Sequence, residues 1–364
     1  MRITLALALA CAAVPASAQA PAPNFAQQWS ELVAAAQKEG RVVILAPPDT
    51  AVRQALPAAF KARYGITVEY LGGRSSESAG KMRSEREAGV YTVDVALAGI
   101  QTMATIFYRE KMLVPLRPLL IDPDVTDPSK WKRGSLWFMD PEQQYILRLF
   151  NTAGANFYVN TQFAKPSDFH SARDLLDPKW KGKISMADPT VPGTGSNQAA
   201  RFYVQFGEDY VKRLYVDQQP GIARDRRQIT DWLARGRYPV SIDAERDEVE
   251  RLKKDGLPVA AVYNLPDLPG TLSGGVGEVA VLDHAPHPHA AQLFANWIAS
   301  KEGLEVYVRT RDESPTRNDI DEKSFLQPEI IPRPGVDYFD TFDWQFTLST
   351  KEEVRLRMKE LLKR

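Results

Sequence analysis

The sequence predicts an α/β protein of two lobes, each built on a doubly wound, largely parallel sheet, with strands crossing between them. Three observations carry this. From Arg41 onward, short β-rich runs alternate with amphipathic runs of helical length, the order that produces parallel sheets covered by helices. The chain has 364 residues, of which 346 remain after an N-terminal leader, more than one core of roughly 250–300 residues accommodates. A proline-rich passage (Pro115, Pro118, Pro123, Pro128) interrupts the alternation and reads as a crossover.

The elements follow in order. Met1–Ala18 has a basic start at Arg2, an apolar run from Ile3 to Val14 and an Ala16-Ser17-Ala18 cleavage site, so residues 1–18 read as a secretory signal peptide. The run is shorter than the roughly 20 residues a membrane span needs. Cys11 could anchor a lipoprotein, but Ala8-Leu9-Ala10 is a poor lipobox. Cleavage after Ala18 leaves no thiol, hence neither disulfides nor cysteine catalysis. Arg41–Ala46, Ile66–Leu71 and Val93–Ala98 are strands. They alternate with helices Ala51–Tyr64 (Pro57 a kink), Ser76–Ala88 and Gln101–Arg109. Beyond the prolines, strands recur at Tyr145–Phe150, Phe157–Val159, Lys183–Ala187, Pro239–Ile242 and Pro258–Val262. Helices recur at Gln198–Phe206, Asp209–Tyr215, Arg227–Arg235 and Ala244–Lys254. Gly277–Leu282 is a last strand. In the helix after Pro288, Ala290, Leu293, Phe294, Trp297 and Ile298 recur at helical spacing, which predicts one buried stripe. Ser300 caps a second helix, and a C-terminal helix presents Val354, Met358, Leu361 and Leu362 for docking on a lobe. Lobe 1 is then 19–112 with 276–310, and lobe 2 is 113–275 with 311–364.

Four segments carry a family resemblance. Ala285–Gly303 (APHPHAAQLFANWIASKEG), Asp174–Asp188 (DLLDPKWKGKISMAD), Tyr158–Thr161 (YVNT) and Arg83–Val95 (RSEREAGVYTVDV) stand in family order. Together they resemble the bacterial extracellular solute-binding proteins of family 1, the iron(III)-binding-protein-like branch. The resemblance implies a type II periplasmic-binding-protein fold, a two-lobed flytrap. It also implies a monomer in the Gram-negative periplasm that delivers a small ligand to the permease of an ABC importer. One stretch departs from the pattern. Ferric-binding members carry an adjacent tyrosine pair where Gly236–Glu245 here reads GRYPVSIDAE, so Asp243-Ala244 occupies the pair's place. Bare ferric iron needs hard anionic oxygens. The departure points instead to an organic anion (carboxylate, phosphonate or sugar phosphate), with ferric iron or a ferric chelate the alternative.

Ligands of open α/β sheets bind beyond the carboxyl ends of the strands. At those ends, Gly73, Arg74, Ser75 and Ser76 combine a close-approach glycine, hydroxyls, a guanidinium and a helix start, as an anion cradle would. Thr194, Gly195, Ser196 and Asn197 repeat that chemistry. Of Arg224, Arg226 and Arg227, Arg224 lies nearest a strand end, where its planar fork would suit a carboxylate or phosphonate. Asp243 would orient an arginine or meet a ligand amine, and Gln101 ends the third strand. Asp283, His284, His287 and His289 crowd together, but Pro286 and Pro288 keep them extended, so no metal is expected. Net charge is zero without a basic block, which argues against nucleic acid. No nucleophile–base or open-metal motif suggests an enzyme, and no cofactor is implied.

Overall fold

The computed structural model describes residues 24–73 and 75–363. The signal peptide expected at 1–18 and Arg74 lie outside the described residues, as do the side chains of Ser75 and Ser76. Thirteen strands are present among the described residues. They are β1 (Arg41–Ala46), β2 (Thr67–Gly72), β3 (Val95–Ala98), β4 (Leu147–Arg148), β5 (Thr152–Gly154), β6 (Phe157–Asn160) and β7 (Ile184–Ala187), followed by β8 (Gly221–Ala223), β9 (Val240–Ser241), β10 (Val259–Val262), β11 (Thr271–Ser273), β12 (Glu278–Val281) and β13 (Phe339–Asp340).

The first sheet has the order β2-β1-β3-β12-β4. β1 runs parallel to β2 and β3, whereas β12 is antiparallel to both its neighbours. Its strands are apolar almost throughout because both faces are covered. Ile44, Val95, Leu97 and Val279 enter one core, and Leu45, Ala96, Ala98 and Ala280, one position along, enter the other. The helix Pro288–Ala299 is buried on nearly every side rather than along one stripe, because helix Phe25–Glu39, which the sequence reading leaves unassigned, packs beside it. Phe60 joins them, with edge-on ring contacts to Phe294 and Trp297 at 5.2 Å each. The expected histidine cluster is divided among structural partners. His287 Nδ1 and backbone N–H both meet the buried Asp94 carboxylate, and His289 meets Glu39.

The second sheet has the order β10-β6-β9-β7-β8, with β7 parallel to β8 and β9. Its core joins Phe157, Trp180, Phe202 and Tyr210. Val354 and Met358 of the C-terminal helix dock on it through helix Thr194–Lys212. The expected crossover near Leu113 falls later. Leu116, Leu120, Trp131, Phe138 and Phe150 all pack in the first core, so the chain departs only after Phe150. The prolines there shape short turns against the first sheet instead of a bridge.

A third sheet, β13-β11-β5, lies where the chain passes between the two. β5 links β4 of the first sheet to β6 of the second, and β11 links β10 back to β12. β13, from the C-terminal segment, adds a parallel strand to β11. Arg148 on β4 anchors it. Its fully buried guanidinium donates from Nη1 to both oxygens of Asp340 on β13, at 3.0 and 2.8 Å, and lies against the rings of Trp137 and Phe342.

Asn296 is the one polar side chain buried within helix Pro288–Ala299. Its Oδ1 accepts from the N–H groups of Ile121 and Asp122, and its Nδ2 donates to the carbonyls of Leu119 and Gln292. Asn296→Leu keeps the number of side-chain heavy atoms and orphans the N–H groups of Ile121 and Asp122. It should cost about 2–4 kcal/mol in urea unfolding, although leucine is the better helix former. An unchanged midpoint would show that the contact is dispensable.

Candidate functional site

The loops that follow β7, β8 and β9 leave the same edge of the second sheet, facing the hinge strands. Between them lies a cavity of about 560 Å³. Thr152 of β5 and Thr271 and Ser273 of β11 form its floor. Thr194 and Asn197 come from the start of helix Thr194–Lys212. Arg226, Asp243 and Arg246 follow β8 and β9, and Glu313 reaches in from the far side.

The charged groups are held by identifiable contacts. Arg226 begins helix Arg226–Ala234 and folds back, so that Nε donates to the carbonyl of Asp243 and Nη2 to that of Ala244, both at 3.0 Å. Arg246 donates from Nε to Asp247 at 2.9 Å, and its Nη2 stands 3.7 Å from Glu313. That second separation exceeds a hydrogen bond. Glu313 accepts a short hydrogen bond from Thr152 Oγ1, and burial pushes its carboxyl above the usual range. Asp243 is fully buried. Its Oδ2 accepts from the Ala187 N–H at 2.9 Å, and Oδ1 has no hydrogen-bond partner. Burial, only partly offset by that hydrogen bond and by Arg226, pushes its carboxyl up to about 6. Burial thus disfavours the negative charge of both inner carboxyls, Asp243 and Glu313. Two further carboxylates line the cavity: Asp247, exposed and paired with Arg246, and the half-buried Glu245, which precedes helix Arg246–Lys254.

The sequence-predicted residues divide. Thr194, Asn197 and Asp243 line the cavity. Gly195 does not. A Cβ there would stand 2.5 Å from the Ala187 carbonyl and 2.6 Å from that of Asp188, so the glycine lets the helix abut β7. Ser196 is occupied by its own loop, its Oγ accepting from the Gly193 N–H and donating to the Gly193 carbonyl. Arg224 is 77% exposed, 3.4 Å from Asp188, and faces a separate cavity of about 580 Å³ with Arg355 and Lys359. Gly73 closes the turn after β2 by donating to the Ala46 carbonyl, and Gln101 is exposed in a short helical turn. No described residue of the 72–76 loop lines the 560 Å³ cavity, nor does Gln101. Sequence reasoning missed Arg226, Arg246, Glu313 and Thr152. Arg226 belongs to the arginine run already noted, and its place at a helix start, aimed back at a strand end, was a usable signal. Arg246 and Glu313 meet only through the fold.

A family profile described as bacterial extracellular solute-binding protein matches residues 55–331. An uncharacterized protein of Haemophilus influenzae is 24% identical over 292 residues, 76% of this chain and 78% of that protein. Among solved structures, iron-bound HitA from Pseudomonas aeruginosa aligns with a TM-score of 0.62 at 18% identity, over 86% of this chain and 99% of that one. AfuA from Actinobacillus pleuropneumoniae with fructose-6-phosphate aligns at 0.62 and 20%, over 89% and 99%. The Trichodesmium protein IdiA (FutA) with iron and citrate aligns at 0.66 and 17%, over 88% and 99%. These likenesses establish the two-lobed periplasmic-binding-protein fold. The chain belongs to the bacterial extracellular solute-binding proteins.

Asp243 generates a pH test. Its carboxyl titrates near 3.8 when unfolded and near 6 when folded, so the native state binds more protons between those values. Stability from this group is complete below about pH 4 and is lost as pH rises through 6, by up to ~3 kcal/mol. Asp243→Asn should flatten urea-unfolding stability between pH 4 and 6.5. A variant with the native slope would place the titration elsewhere.

Proposed function

From this membership we propose that the chain, as the solute-binding component of an ABC importer, captures a small organic anion bearing hydroxyl or ammonium groups. The cavity between the lobes holds it, and a membrane permease receives it. The observation that carries the reading is the pairing of Arg226 and Arg246 with the inward carboxyls of Asp243 and Glu313 around one 560 Å³ space. Guanidiniums suit carboxylate, phosphonate or phosphate oxygens. Carboxyls suit the ligand's own donors, and Thr194, Asn197, Thr271 and Ser273 complete a polar lining. A cavity lined only by arginines would favour a bare inorganic anion. This mixed one favours an acid with donors, such as a hydroxy acid or a sugar phosphate.

The ferric alternative suits a chelate better than a bare ion. Asp243-Ala244 offers one carboxylate, already hydrogen-bonded to the backbone, where the resemblance implies two phenolates. Tyr158 lines the cavity, but burial pushes its phenol above the ordinary range, away from phenolate. Ferric citrate, itself an organic anion, would meet the same arginines. Binding rather than turnover fits the lining, because none of the chain's four histidines is in it and the single cysteine is Cys11. The protein acts as a periplasmic monomer. Arg246 approaches Glu313 across the cavity, so a ligand engaging both favours the closed form, in which both sets of contacts are made.

A thermal-shift screen of carboxylates, phosphonates, sugar phosphates and ferric citrate tests this. A ligand at 100 times its Kd should add roughly 2.7 kcal/mol of stability. Arg246→Ala should weaken that ligand about 10–100-fold in calorimetric titration with the melting temperature of the free protein nearly kept. A shift with bare ferric iron alone would overturn the organic-anion reading.

A further inference from the structure

The hinge sheet has two faces. Thr271 and Ser273 of β11 line the interlobe cavity, and Leu272 between them points the other way, as strand alternation requires. Leu272 borders a second cavity of about 790 Å³, larger than the first, on the back of the hinge. Trp137, from the first core's side, forms one wall. Asn151, just before β5, forms another, and the C-terminal segment closes it with Arg333 and Tyr338. The Arg333 N–H donates to Tyr338 Oη at 3.2 Å, which sets the turn carrying both side chains.

This lining differs in kind from the polar interlobe cavity. It has a broad apolar surface with a few polar groups, the usual composition of a small-molecule site, and its volume lies in that range. Four cationic side chains line it against two acidic ones, Glu322 and Asp337. Lys132 and Glu322 are spent on each other at 2.5 Å. Arg133 lies 4.2 Å from the centre of the Trp137 ring, and neither it nor Arg333 has an ion-pair partner among the described residues. The Asn151 Oδ1 atom is buried without a hydrogen-bond partner.

We infer that the back of the hinge is a second ligand site, for an amphipathic anion. A flat apolar body lies against Leu272 and the edge of Trp137, and the acid group meets Arg133 and Arg333. The inference stands independently of the transport reading, since none of these side chains lines the interlobe cavity.

The dye 8-anilinonaphthalene-1-sulfonate has this chemistry, with a flat body and one sulfonate. Titrated into the folded protein, it should bind saturably at one site with enhanced fluorescence. Arg133→Glu and Arg333→Glu reverse exposed charges outside the cores, and each should weaken the dye roughly tenfold or more. Arg246→Ala, in the interlobe cavity, should leave dye affinity unchanged. Near-ultraviolet circular dichroism identifies any variant whose packing is lost, and for that position the charge-neutral Gln variant is read instead. Non-saturable binding, native affinity in both charge-reversal variants, or loss of the dye in Arg246→Ala would each overturn the inference.

Discussion

A buried guanidinium holds the two halves of this chain in register. Arg148 sits at the edge of the first sheet with no exposed surface, and its bidentate partner Asp340 belongs to the strand added last to the hinge. Trp137 and Phe342 flank it. Removing one member of such a pair leaves an uncompensated buried charge, which typically costs about 3–5 kcal/mol. The contact therefore fixes where β13 lies, and β13 fixes β11 through their parallel register. Glu278, the cross-strand neighbour of Arg148, is buried without a hydrogen-bond partner, and burial holds its carboxyl well above the usual range. Burial disfavours the charge of Glu278, and the Arg148 guanidinium donates instead to Asp340.

Both cavities follow from this hinge. Strand alternation turns Thr271 and Ser273 to one side and Leu272 to the other, so three short strands supply a polar floor to one space and an apolar wall to another. On the polar side, charge is distributed between the lobes. Arg226 and Arg246 come from the second, whereas Glu313 follows the helix Lys301–Arg311 of the first core. The 3.7 Å separation of Arg246 from Glu313 is a contact across the division between them. A ligand that inserts its acid group there exchanges a weak protein contact for stronger charge-assisted hydrogen bonds.

The architecture was legible because both sheets are covered on two faces, which makes strands such as Arg41–Ala46 continuously apolar, and because helix and strand signals alternate. Helix Phe25–Glu39 escaped because its buried residues, Leu32 and Ala36, form too narrow a stripe to stand out. The crossover was misplaced because prolines break regular structure equally well in a bridge and in turns packed on a sheet. At the cavity, the strand-end rule pointed to Asp243 and to the helix start at Thr194 and Asn197, all of which line it. It could not separate cavity-facing groups from those that build the loop, such as Gly195 and Ser196. Arg224, nearest the strand end, lies outside this cavity for a geometric reason. The next arginine, Arg226, begins a helix, and its side chain folds back over the end of β9 while Arg224 turns outward. Arg246 and Glu313 carried no local signal, because their significance lies in a contact between distant parts of the chain.

The proposed ligand is a small organic anion held by arginines of the second lobe in the space between the lobes. Native mass spectrometry of the protein, purified gently from cells that grow on mixed organic acids, tests it most directly. The expected spectrum shows an adduct of small organic mass that contains a carboxylate or phosphoryl group and is absent from the Arg246→Ala protein. An adduct of iron alone, or an organic adduct that survives Arg246→Ala unchanged, would contradict it.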